Sequence, residues 1–227
     1  MNNPFFFYEV INQKYKASLN VNLLFHLPES FSVFILEEEV FKAYISHLER
    51  LFKANIDKKV KLYTIHLGNP TPLAFCGEKR YVSDIFYEFF KDMLEKRIKI
   101  LDELAENYPL AVENAGGFHK DEVRKILKKT ENLKFTMDIG HLESVGEETK
   151  KKELAFFKKM RKRIVNIHLH DNHKLQDEHL PIGKGKINFF LYKDFILHQD
   201  PYIIIEVRPV HDAMRSLGTF KQMFGLL

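Results

Sequence analysis

The run VNIHLHDN at 165–172 closes on His168, His170 and Asp171. Comparable apolar runs close on His26, on His66, on Glu113, on Asp138 with His141 three residues on, and on Glu206 with Arg208 beyond it. Asp177 and His179 stand two apart in the loop after His170. Imidazole and carboxylate are the donors of zinc sites, and carboxylate-rich sets also suit manganese. His26, His66, Glu113, Asp138, His141, His168, Asp177, His179 and Glu206 therefore make a candidate ligand set for divalent metal. Each has a plainer use taken alone. A strand-end histidine can be satisfied in the core, Asp138 can cap the helix after its strand, and Glu113 and Glu206 can pair with lysines or with Arg208. An isolated ionised carboxylate buried at such a place costs several kcal/mol or more, so recurrence at matching positions favours a shared cation. His47, His119, His173, His198 and His211 lack this setting and read as surface residues.

Something must bring these side chains together. In KVKLYTIHLG (59–68), Tyr63, Ile65 and Leu67 alternate with Thr64 and His66, the period-two pattern of a strand with two unlike faces. The same test assigns strands to VNLLFHLP (21–28), LAVENAGG (110–117), LKFTMDIGH (133–141), the 165–170 run and PYIIIEVRP (201–209), with a weak one at FFFYEV (5–10). Three-and-four spacing of apolar residues predicts helices over 36–54, 83–106, 119–130, 148–163 and 212–224, with Ser83 and Asp212 as N-caps. Strands alternating with helices imply a parallel sheet under a helical layer. Ionisable ends arriving from six strands require one focus, which a closed barrel supplies and an open sheet does not. His168 then points inward, and His170 lies near the rim. The expected architecture is an α/β fold of the TIM (β/α) barrel type, one domain over 1–227.

The totals narrow the partners. At 45% hydrophobic the chain can bury a large core, and a net charge of +4 with both signs mixed gives little reason to expect a nucleic-acid partner. Lys150–Lys152 and Lys158–Arg163 read as solvated helix faces. The single cysteine, Cys76 in a loop, excludes an internal disulfide and fits a reducing, cytoplasmic setting. No run approaches a membrane span. Gly183-Lys184-Gly185 permits tight turns and offers a weak phosphate-cradle signal.

HLG after LYTI, AVENAGG, MDIGH, IHLHDN, DEHLPIGKGKINF and IIIEV, in this order, resemble the xylose isomerase-like barrel superfamily, which holds sugar-phosphate isomerases and epimerases and the endonuclease IV phosphodiesterases. The resemblance spans about 20–210. Its isomerase branch implies one divalent ion on Glu113, Asp138, His168 and Glu206. Glu113 and Glu206 would then also be the catalytic acid and base beside a sugar carbonyl. Its endonuclease branch implies three zinc ions on all nine candidates and hydrolysis of a phosphoester, abasic-site DNA included. His26, His66, His170 and Arg208 are the expected substrate contacts. The cofactor expected is zinc or manganese, one to three ions per chain. A small sugar or sugar phosphate is the preferred substrate, with nucleic acid second. Two departures stand out. Only some 25 residues precede His26, so the first βα unit is missing or rebuilt. Leu27-Pro28-Glu29 stand where the endonuclease branch carries a DNA-penetrating tyrosine, and His179 stands where many isomerases carry a substrate-binding arginine.

Overall fold

The apolar alternation resolves into six short parallel strands in a computed structural model that describes residues 22–54, 60–197 and 200–226. In chain order the strands are β1 (Leu23–His26), β2 (Val60–Ile65), β3 (Pro72–Phe75), β4 (Glu78–Tyr81), β5 (Leu110–Glu113), β6 (Lys134–Asp138), β7 (Ile164–Leu169) and β8 (Tyr202–Ile205). The parallel sheet runs β1-β2-β5-β6-β7-β8, and β3 pairs with β4 apart from it. Side chains such as Ile65, Phe135, Met137, Ile167 and Leu169 are fully buried in the main apolar cluster. The 5–10 run lies outside the described residues.

The sheet is curled. Four strand-to-strand steps separate β1 from β7, about 19 Å if the sheet were flat. The rings of His26 on β1 and His168 on β7 nevertheless lie 5.9 Å apart. Thr64, Thr136 and Asn166 fill the interior one layer below, with the two threonine hydroxyls 3.0 Å apart. Register aligns the polar ends, pairing His26 with Thr64 and Asp138 with His168.

Helices cover the outside. They are α1 (Glu38–Ala54), α2 (Val82–Ile85), α3 (Tyr87–Leu104), α4 (Asp121–Leu127), α5 (Ile139–Ser144), α6 (Glu147–Lys159), α7 (Lys193–Ile196) and α8 (Val210–Phe224). None of the described helices is long and apolar enough to cross a membrane. The helix expected over 83–106 is broken at Phe86, where φ −111° and ψ 52° leave the helical basin. Ser83 lies inside the short first piece and caps nothing, because the chain enters that helix at Tyr81. Asp212 likewise sits in the first turn of α8, whose N-cap is Pro209.

One element is absent from the sequence reading. The strands β3 and β4 form an antiparallel hairpin. Its two-residue turn is Cys76-Gly77, both with positive φ (50° and 83°). That is the backbone hairpin turns favour, normally signalled by Asn-Gly or Asp-Gly. Cys76 is exposed at the tip.

Candidate metal centre

Asp138 shows how local structure aims a ligand. It ends β6 and begins α5, and its Oδ1 accepts from His141 N–H at 2.7 Å, so it does cap the following helix. Oδ2 is buried without a hydrogen-bond partner and faces His168 Nδ1 at 3.8 Å. The Asn114 side chain clasps the Asp138 backbone through both its amide atoms, at 2.7 and 2.9 Å. One carboxylate thus caps with one oxygen and offers the other.

Glu113 is the junction. Oε2 faces His26 Nε2 at 3.0 Å and His66 Nε2 at 3.3 Å. Oε1 faces His141 Nδ1 and His168 Nδ1, both at 3.4 Å. His168 Nδ1 also lies 3.1 Å from Glu206 Oε2. A second focus is made by His141, His170, Asp177 and His179, with Asp177 Oδ2 3.2 Å from His141 Nε2 and 3.1 Å from His179 Nε2. Donor atoms fall into three groups, each able to surround one ion: His26, Glu113 and His168; Glu113, Asp138, His168 and Glu206; and His141, His170, Asp177 and His179. His66 adjoins the first through Glu113.

The donor set fits divalent cations on its own chemistry. Buried Glu113 Oε1, Asp138 Oδ2, His66 Nε2, His141 Nδ1, His168 Nδ1 and Glu206 Oε2 have no hydrogen-bond partner. An orphaned polar atom costs about 1–3 kcal/mol, more when charged, so several in one place need a common partner. The outer nitrogens are already fixed. His26 Nδ1–H donates to Leu27 O at 2.9 Å and His179 Nδ1–H donates to Glu206 O at 2.9 Å, leaving Nε2 of each to face the centre. Asn166 Nδ2 donates to His168 Nε2 at 2.9 Å. Turning that amide over lets its orphaned Oδ1 accept from Nε2–H instead and frees Nδ1 for a cation.

Protons occupy the cluster when no cation does. Burial lowers the His141 pKa, but Asp138, Asp177 and Glu113 outweigh it and hold the value at about 10. Asp177 hydrogen-bonds His179 and lifts it against burial to about 9. Burial raises Asp138, and the His141 and His170 charges more than offset this, bringing it to about 2. Glu113 is held well below the carboxylate range, where burial opposes and the histidines prevail. At neutral pH a cation must therefore displace imidazolium protons. Its affinity should rise as pH rises toward 9–10 and weaken in acid, by about tenfold per pH unit for each proton released. Calorimetric zinc titrations across pH 6 to 8 check this, and a pH-independent affinity would contradict it.

Two placements differ from expectation, and one residue expected at the surface faces the cavity. His170 is not near the rim. It is fully buried, its Nε2 lies 3.2 Å from Asp138 Oδ1 and 3.3 Å from Asp177 Oδ1, and its ring stacks on His179 at 3.9 Å. Backbone space explains this: a Cβ on Gly140 would lie 1.9 Å from the His170 ring. Gly140→Ala should therefore displace His170 and remove the ion of the third group while sparing the others, a loss of about one zinc per chain by elemental analysis; the overpacking costs about 1–3 kcal/mol. Arg208 is exposed beyond β8 and does not line the cavity over the site. His119 does line that cavity, with Glu29, Asn69 and Ser144, none of which the sequence reading singled out. The cavity holds about 350 Å³.

The Gly183-Lys184-Gly185 turn serves Asp171 and not a phosphate. Asp171 accepts from the N–H groups of Asn172, Gly183 and Ile187 at 2.9, 2.9 and 3.1 Å. A Cβ on Gly185 would lie 2.3 Å from Asp171 Oδ1. The turn anchors the loop that presents Asp177 and His179.

Comparison with known proteins agrees with the fold. A family model described as xylose isomerase-like TIM barrel matches residues 13–223. The protein MJ1311 of Methanocaldococcus jannaschii is 26% identical, over 95% of this chain and 76% of its own. A D-tagatose 3-epimerase-like protein superposes with TM-score 0.72 at 22% identity, over 100% of this chain and 84% of that one. Endonuclease IV from Thermus thermophilus superposes with TM-score 0.62 at 18% identity, over 96% of this chain and 81% of that one.

Proposed function

This chain belongs to the xylose isomerase-like TIM barrel family, and from that premise we propose that it is a phosphoester hydrolase working with a cluster of divalent cations. The observation that carries this reading is the grouping of the donors into three sets, two of which share Glu113 while the third adjoins it through His141. One ion would sit between His26 and Glu113 with His66 beside it, a second among Glu113, Asp138, His168 and Glu206, and a third among His141, His170, Asp177 and His179. Cations held there would supply Lewis-acid stabilisation of the charge that develops on phosphoryl oxygens.

The chain's own residues do the rest. Glu113 turns Oε2 to His26 and His66 and Oε1 to His141 and His168, and would serve as a ligand on both sides. Asn114, Asn166 and the Leu27 and Glu206 carbonyls orient the ligands before substrate arrives. The layer of Thr64, Thr136 and Asn166 closes the floor. Glu206, with its side chain 30% exposed, opens to the cavity where substrate enters.

A sugar isomerase or epimerase is the second reading. Glu113 and Glu206 flank the same group as Asp138 and His168, which suits proton transfer between carbons beside one ion. That chemistry uses one group and leaves His141, His170, Asp177 and His179 gathered without a purpose, so hydrolysis is preferred. Zinc- and manganese-loaded protein should cleave bis(p-nitrophenyl) phosphate or an abasic-site oligonucleotide and exchange no solvent deuterium into a ketose. Exchange without phosphoester cleavage would reverse the order of the two readings.

A further inference from the structure

His119 is the cavity histidine that touches none of Glu113, Asp138, Asp177 and Glu206. It ends the 3-10 turn Gly116–His119, between β5 and α4. Its Nδ1 lies 2.6 Å from Oε1 of Glu153, a fully buried carboxylate on α6. Arg124 Nη1 donates to the same oxygen at 3.3 Å and to Phe118 O at 2.8 Å, so the carboxylate is itself held from behind. Glu153 Oε2 is buried with no partner. The His119 side chain is 29% exposed, and its Nε2 has no hydrogen-bond partner among the described residues.

A buried glutamate that fixes one ring nitrogen while the other faces a cavity is how a protein orients a proton-transfer histidine. A surface ion pair would be more exposed and would not need a second cation behind it. His119 also borders a second groove of about 430 Å³, which it shares with Asn69, Gly116, Lys79 and Tyr81 of the β3–β4 hairpin. His119, Asn69 and Gly116 line both the cavity above the ligands and that groove.

Resting on the hydrolase reading, we propose that His119 is the general acid for the leaving group, that Glu153 is its positioning residue, and that the groove toward the hairpin receives the leaving group. The attacking water oxygen bonds to phosphorus and the ester P–O bond breaks. The proton on His119 Nε2 passes to the departing oxygen, and the proton lost by water leaves to solvent. His119 ends neutral with Nδ1–H still on Glu153, and takes a proton from solvent to reset.

Leaving-group dependence tests this, because a p-nitrophenolate departs without a proton and an alkoxide does not. His119→Gln and Glu153→Gln are compared with the zinc-loaded parent on bis(p-nitrophenyl) phosphate and on a 3′–5′ dinucleotide. His119→Gln should lower kcat on the dinucleotide by about 10²–10⁴ and on the aryl ester by less than about tenfold, with KM and zinc content unchanged. Glu153→Gln should show the same pattern, more weakly. The His119 ring resonances of zinc-loaded protein should shift when inorganic phosphate is added. Equal losses on both substrates, no loss on the dinucleotide, or an unmoved His119 resonance would overturn the role. A parent that cleaves neither ester would instead overturn the hydrolase reading, and this role with it.

Discussion

Glu113→Gln is expected to empty the site. Glutamine matches glutamate in size, so the packing of β5 survives, but its neutral amide cannot face four imidazoles with two anionic oxygens. Oε1 and Oε2 each meet two of His26, His66, His141 and His168 at 3.0–3.4 Å, and Glu113 belongs to two of the three donor groups. Its loss should therefore remove two ions together, leaving at most the one on His141, His170, Asp177 and His179. Loss of even an outer partner of a metal ligand costs about 10- to 100-fold in affinity or activity. A shared ligand should cost more, with hydrolysis falling at least about a hundredfold. Elemental analysis and turnover of the same sample check both halves. Full zinc content in the variant would show that Glu113 is an ordinary buried acid paired with histidines.

Chelation is expected to destabilise the fold measurably. The ligands come from β1, β5, β6 and β7, from the ends of β2 and β8, and from the 171–187 loop, so bound cations would tie together every strand of the parallel sheet. A ligand present at about a thousand times its Kd stabilises by about 4 kcal/mol. For a chain of this size each kcal/mol moves Tm by about 2–4 °C. Removing the ions should lower Tm by roughly 10 °C, and readdition of zinc should restore it. The drop is smaller than for a bare cluster of acids because protonated His141 and His179 replace part of the lost charge. Identical melting with and without chelator would mean that no cation is held by these residues.

Much of this was legible before any coordinates. Period-two alternation placed His26, Glu113, Asp138 and His168 at the carboxyl ends of strands, and those strands exist with the polar ends in register. The curl followed from chemistry, since carboxylates and imidazoles arriving from separate strands demand a common partner that a flat sheet cannot provide. Other features had no local signal. His170 shares a strand face with His168, but the chain leaves the strand at Leu169, and only the missing Cβ of Gly140, in the first turn of α5 after β6, lets the ring turn inward. The hairpin was hidden because its turn is Cys-Gly, not Asn-Gly. His119 reads as a surface residue because its partner Glu153 is 34 positions away on a helix that looks solvated from its lysines. Asp138 reads either as a cap or as a ligand, and the structure makes it the cap while leaving its second oxygen free.

Anomalous diffraction at the zinc edge, from crystals of protein purified without added metal and then given zinc, bears most directly on the central claim. Separate peaks are expected: one bounded by Glu113, Asp138, His168 and Glu206, another by His141, His170, Asp177 and His179, and a third beside His26 and His66. A single peak on the Glu113–Glu206 group would favour the isomerase reading over hydrolysis. No peak among these residues would contradict the account outright.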